Sequence, residues 1–110
     1  MGEYRGSFDY FLWLNAHEEA TFQECLSEYC QEHPQAELSE ARAKLQKGLE
    51  ALLESGNIGL YAEQWGRPGA RRDLKLDEAR NAVGDPRNWE PSEATEWFHY
   101  ICIVEDWAPI

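Results

Sequence analysis

No apolar run in this chain approaches the roughly 20 residues that a membrane-spanning helix needs. The longest, around residues 11–14 and 101–104, fall far short of that. The chain is expected to span no membrane and to reside in the cytoplasm. Cysteine is sparse. Cys25, Cys30 and Cys102 are an odd number with no secretory signal before them, which argues against a disulfide scaffold and for a reducing compartment. Cys25, Cys30 and His33 make a poor metal set, because His33 lies beyond the helix end that Pro34 imposes, so no metal is expected. The sequence also lacks a G-x-S-x-G elbow, a phosphate-binding glycine loop and a metalloprotease helix. His17 beside Glu18 and Glu19, and His99 near Glu96, have no nucleophile and oxyanion donor to work with. No catalytic residue and no cofactor are expected.

Positive charge is the other shortage. Ten Lys and Arg face 21 Asp and Glu, a formal charge of −11. Such a field repels a nucleic-acid backbone and steers a basic protein toward the surface.

Aromatic residues, in contrast, are plentiful: five Trp, five Tyr and four Phe in 110 residues, enough to furnish the core of one domain. Residues 1–110 are read as that single domain, with 1–6 frayed. Phe8, Tyr10, Phe11, Leu12, Trp13 and Leu14 form a dense block expected to be buried, as a helix capped by Ser7 or as a strand. Thr21 and Glu24 make a capping box that starts a second helix at Phe22. Its inner face is Phe22, Cys25 or Leu26, Tyr29 and Cys30, and it ends near Glu32 ahead of Pro34.

Residues 38–65 organise the rest. Ser39 is the expected cap of a third, longest helix, with Leu38 and Ala43 as a weak hydrophobic staple. Ala41, Leu45, Leu49, Leu52 and Leu53 give its apolar stripe. Gly48 within it marks close helix contact, and Gly56 supplies a left-handed stop. Ile58, Leu60 and Ala62 then alternate with Tyr61, Glu63 and Trp65 as a half-buried strand. Residues 66–69 read as a turn, and residues 72–76 as the return strand of a hairpin with a basic tip. Asp77 is the expected cap of a short helix ended by Gly84. Residues 85–89 form a turn that sends Trp89 into the core. Residues 96–104, apolar on both faces, are expected as a central strand.

These elements predict an α+β domain, three main helices packed on a small antiparallel sheet with a basic hairpin tip. Their order, three helices followed by a strand, a hairpin and a final strand, resembles a winged helix-turn-helix. The block Gly56-x-Ile58-x-Leu60-Tyr61, followed by Asp85-Pro86-x-x-Trp89, is also similar to small acidic bacterial proteins of uncharacterised type. That second resemblance implies no activity.

The winged-helix resemblance implies that Arg42, Lys44 and Lys47 face DNA from the third helix, with Arg71 and Arg72 on the wing. Charge opposes it. Those three cations are balanced by Glu40, Glu50 and Glu54, and only the hairpin, with Arg67, Arg71, Arg72 and Lys75 against Asp73, is basic. Nucleic acid is therefore disfavoured, and the basic hairpin is the one surface where a phosphate or an acidic partner would dock. The leading expectation is a non-enzymatic protein-binding domain, a monomer or homodimer. It would act as an acidic inhibitor of a basic partner, of immunity or antitoxin type. Its expected contact residues are Trp65 with Glu63, Trp97 with Glu96, and Trp107 with Asp106, aromatic anchors with an acidic rim. The alternative is a winged-helix DNA-binding regulator or adaptor.

Overall fold

Spacing dictates the spine of the molecule. In the computed structural model, which describes residues 8–64, 71–90 and 97–103 and omits the side chains of Gln64 and Trp97, the longest helix buries every fourth residue. This is α3 (Leu38–Glu54), and Ala41, Leu45, Leu49 and Leu53 lie in the core. The stripe therefore runs through Leu53, and the expected Leu52 is only half-buried. Ser39 is not the cap. The Ala41 N–H already donates to the Glu37 carbonyl at 2.9 Å, so the first turn closes early, and Glu37 occupies the cap without a side-chain bond. Leu38 and Ala43 are both exposed, so no staple forms.

The helix stops as expected. Gly56 takes φ +76°, its N–H reaches the Leu53 carbonyl at 3.1 Å, and the Asn57 N–H reaches Leu52 at 3.0 Å. Those two bonds satisfy carbonyls that the helix end leaves open.

Two helices precede α3. The apolar block at the start is helical, as α1 (Phe8–His17). The second, α2 (Phe22–Glu32), begins on the expected box. Glu24 N–H donates to Thr21 Oγ1 at 3.0 Å, and Thr21 N–H donates to Glu24 Oε1 at 3.0 Å. Its buried face is Phe22, Cys25, Leu26 and Tyr29, with Cys30 at the margin. A fourth helix, α4 (Leu76–Gly84), starts two residues before the place expected for Asp77 to cap it. The Glu78 carboxylate accepts the Lys75 N–H at 3.2 Å, which fixes the start at Leu76 and puts Asp77 inside the first turn.

The sheet holds β1 (Ile58–Gln64), β2 (Arg71–Asp73) and β3 (Trp97–Ile103), antiparallel throughout in the order β2-β1-β3. Tyr61 pairs with Asp73 on one side and Tyr100 on the other. The central strand is thus β1, whose residues 58–62 are all buried, and not the last strand as expected. The outer side of β3 is occupied instead by the α1–α2 connection. Ile101 N–H donates to the Ala20 carbonyl at 3.0 Å, and Thr21 bridges Tyr100.

Four helices and the strands β1 and β3 share one core among the described residues, running from Leu12 and Phe22 through Leu45 and Leu49 to Ile58, Leu60, Val83 and Ile101. A 3₁₀ turn (Pro86–Trp89), capped by Asp85 accepting from the Arg87 N–H at 3.0 Å, closes it. Trp89 plugs the core as expected. Its indole N–H donates to the Val83 carbonyl at 2.8 Å, and its ring stacks on Phe22 at 4.7 Å, with His99 on Phe22's other neighbour contact at 5.6 Å.

Candidate interaction surface

A helix turns 100° per residue, so six large apolar residues within seven positions cannot all face one core. The structure resolves that conflict on α1. Leu12, Asn15 and Ala16 are buried, Phe8, Tyr10 and Phe11 are half-buried, and Trp13 and Leu14 remain 39% and 40% exposed. The expectation that the whole block is buried is corrected accordingly.

The rings left outside are ordered against one another. Tyr10 stacks on Trp13 with centroids 6.2 Å apart, and Trp13 meets His17 edge-on at 4.7 Å. Spacings of three and four residues place these rings along one side of the helix. Beside them a groove of 510 Å³ opens between α1 and α2, lined by Phe8, Tyr10, Phe11, Leu14, Tyr29 and His33, with Glu28, Glu32 and Lys44 completing its wall. Phe8 and Phe11 both meet Tyr29 edge-on at 6.0 Å, and Tyr29 stacks on His33 at 4.3 Å. The Lys44 ammonium stands over the Phe8 ring at 4.8 Å and the Tyr29 ring at 5.7 Å.

The rim of this surface is acidic. The Glu28 carboxyl is held above its ordinary pKa by partial loss of water and then by the negative charges of Glu32 and Glu18. The negative charges gathered around Glu28 form a local well for a cation.

The contact residues expected from the sequence lie elsewhere. Glu63 is half-buried on β1, opposite Arg71 on β2 and Phe98 on β3. Trp97 opens β3 opposite Gln64, which puts its backbone one register position from Glu63. Trp65, Glu96, Asp106 and Trp107 fall outside the described residues, as does Arg67 of the hairpin.

Two of the remaining hairpin cations, Arg71 and Arg72, are engaged within the fold. Arg71 bonds Asp73 at 2.6 Å, approaches Glu19 at 3.8 Å and lies over the Tyr61 ring at 3.9 Å. Arg72 pairs with Glu78. Lys75 is exposed at the start of α4. Arg71 and Arg72 are therefore charge-compensated, and Arg71 lies over Tyr61 of the stacked pair Tyr61–Tyr100, 4.9 Å apart. Burial pushes the Tyr61 phenol upward, with Glu19 adding to it, so the phenol stays protonated there.

Other titratable groups are buried in place. Burial, then Glu28, pushes the Cys25 thiol up to about 12. Burial holds His99 below its usual value, partly offset by Asp85. Among the described residues no group of three His, Cys, Asp or Glu side chains is placed to hold a metal ion, and no helix is long and apolar enough to cross a membrane.

Sequence reasoning passed over Tyr10, Trp13, Leu14 and His17. The signal was present: Leu12, Asn15 and Ala16 at helical spacing define one buried arc, and Trp13, Leu14 and His17 fall off it. No protein family, curated protein or solved structure matches the chain.

Proposed function

We propose that this chain is a non-enzymatic protein-binding domain, an acidic inhibitor of immunity or antitoxin type that occludes a basic partner. The observation that carries this reading is the Tyr10–Trp13–His17 array with exposed Leu14, set beside the carboxylates Glu18, Glu28 and Glu32 on a chain of charge −11. Aromatic anchors supply desolvated contact area, and the acidic surroundings supply orientation and a fast encounter. Glu63 and Trp97 remain proposed contacts at the far end of the sheet.

The test is recovery of partners on immobilised protein at about 50 mM and about 500 mM salt, with the W13A variant alongside. Proteins of strongly basic charge should be retained at low salt and lost both at high salt and on W13A. Retention that ignores both the salt and the substitution overturns the reading.

A winged-helix DNA-binding regulator or adaptor is the second reading, favoured by three helices followed by the antiparallel β1–β2 pair. Side chains give it less support. Arg42 lies 3.9 Å from Glu90, Lys44 is over two rings, and Arg71 and Arg72 are paired with acids. A gel shift with random duplex at low salt and about 1 μM protein decides it, since non-specific phosphate contacts act in that range.

A further inference from the structure

We infer that the groove between α1 and α2 receives an arginine side chain from a basic segment of the partner, and that Lys44 is the resident cation it displaces. This inference rests on the protein-binding reading above and adds the place and the chemistry.

The groove has the two components that select a cation over a neutral group. Its floor is built of ring faces and edges: Phe8, Phe11 and Tyr29 within 6.4 Å of one another, extended by the stacked Tyr29–His33 pair. A planar guanidinium stacks on such rings and is less strongly hydrated than an ammonium, so it loses less on leaving water. Its wall is anionic, because Glu28 and Glu32 both line the groove and Glu18 adds to the field felt at Glu28.

Lys44 shows that the floor takes a cation. Its ammonium sits over Phe8 and Tyr29, and among the described residues it is the one Lys or Arg lining the groove. Lys44 projects from the exposed side of α3 and is itself exposed, so it can swing back into water when a second cation arrives. The exposed Leu14 and half-buried Tyr10 flank the opening and offer apolar contact to the stem of the entering side chain.

The test is an NMR titration of the full chain with a hexa-arginine amide at low salt, with hexa-glutamate as control. Shift changes should centre on Tyr10, Leu14, Tyr29 and His33. E28Q with E32Q should weaken that response about tenfold, as two partly screened pairs do. K44M should strengthen it about threefold, the size of one exposed cation–π contact. K75M, which removes the same charge at the start of α4, should leave it nearly unchanged. All four substitutions are at exposed positions, and circular dichroism confirms each fold.

Peptide binding centred elsewhere, or equal effects of K44M and K75M, overturns the groove while leaving an acidic protein-binding surface standing. No binding of hexa-arginine anywhere at low salt overturns both.

Discussion

Leu12 fills the space that a side chain at Gly48 would take. A Cβ built on Gly48 would stand 2.6 Å from Leu12 Cδ1 and 2.5 Å from Phe8 Cε2, closer than real contacts allow. Helix α1 can lie this close to α3 because that position carries no side chain. Gly48→Ala gains about 1 kcal/mol of helix propensity. It sets against that an overlap costing about 1–3 kcal/mol, because the fully buried Leu12 must shift within the core. A net loss of about 1 kcal/mol, read as a lower Tm, is expected. A raised Tm would show that α1 drifts freely from α3.

Thr21 holds both the start of α2 and the edge of β3. Thr21→Ala removes the acceptor for the Glu24 N–H and should lower stability by about 1 kcal/mol. Glu24→Gln, which keeps an acceptor for the Thr21 N–H, should cost less. In a double-mutant cycle by urea denaturation the two should couple, and strictly additive losses would contradict a reciprocal box.

His99 links stability to pH. Its folded pKa is held below the ordinary value by burial, so between that lowered value and about 6.5 the unfolded chain binds the extra proton. The stability it contributes is therefore complete above about 6.5 and falls as the pH drops through that window. Asp85, which favours the charged ring, makes the fall shallower. Urea midpoints at about pH 7.5 and about pH 5.5 should differ in the native chain and differ less in His99→Gln. An equal difference in both would place the titrating group elsewhere.

The three thiols should separate cleanly in reactivity. Cys25 and Cys102 are fully buried, and Cys25 is further restrained by its raised pKa. Cys30 is partly open beside Leu38 and Arg42. A thiol reagent at mildly alkaline pH should modify one cysteine quickly, and Cys30→Ser should abolish that phase. Fast reaction of two thiols would mean that α2 opens readily.

Neighbouring residues on α1 should behave in opposite ways. Leu12→Ala removes a core side chain and should cost about 2–5 kcal/mol. Trp13→Ala removes an exposed ring and should change stability by less than about 1 kcal/mol. Equal losses in thermal melts would show that Trp13 is a packing residue and not part of a surface.

Local chemistry was readable from the chain, and long-range arrangement was not. The Thr21–Glu24 box, the stop at Gly56 and the inward Trp89 depend on residues within a few positions of each other, and all three are found. The cap of α3 slid from Ser39 to Glu37 because a backbone turn closed without help from any side chain. The centre of the sheet was misplaced because residues 96–104 are more apolar than residues 58–64. Strand order is set by which partner each edge finds, and β3 found the Ala20–Thr21 segment. The expected acidic tryptophan pairs rested on neighbours in sequence. The surface that forms combines α1 with α2 and α3, and Lys44 reaches it from a helix whose charges looked balanced.

The tie between Ala20 and Ile101 sets an order of events in synthesis. The helix that carries Tyr10 and Trp13 is synthesised before residue 101, yet the backbone that follows it is anchored on the last described strand. Contacts of such long sequence separation form late. A nascent chain therefore lacks this anchor until residue 101 has emerged, and a partner meeting an unfinished copy finds α1 held without it, by packing on α2 and α3.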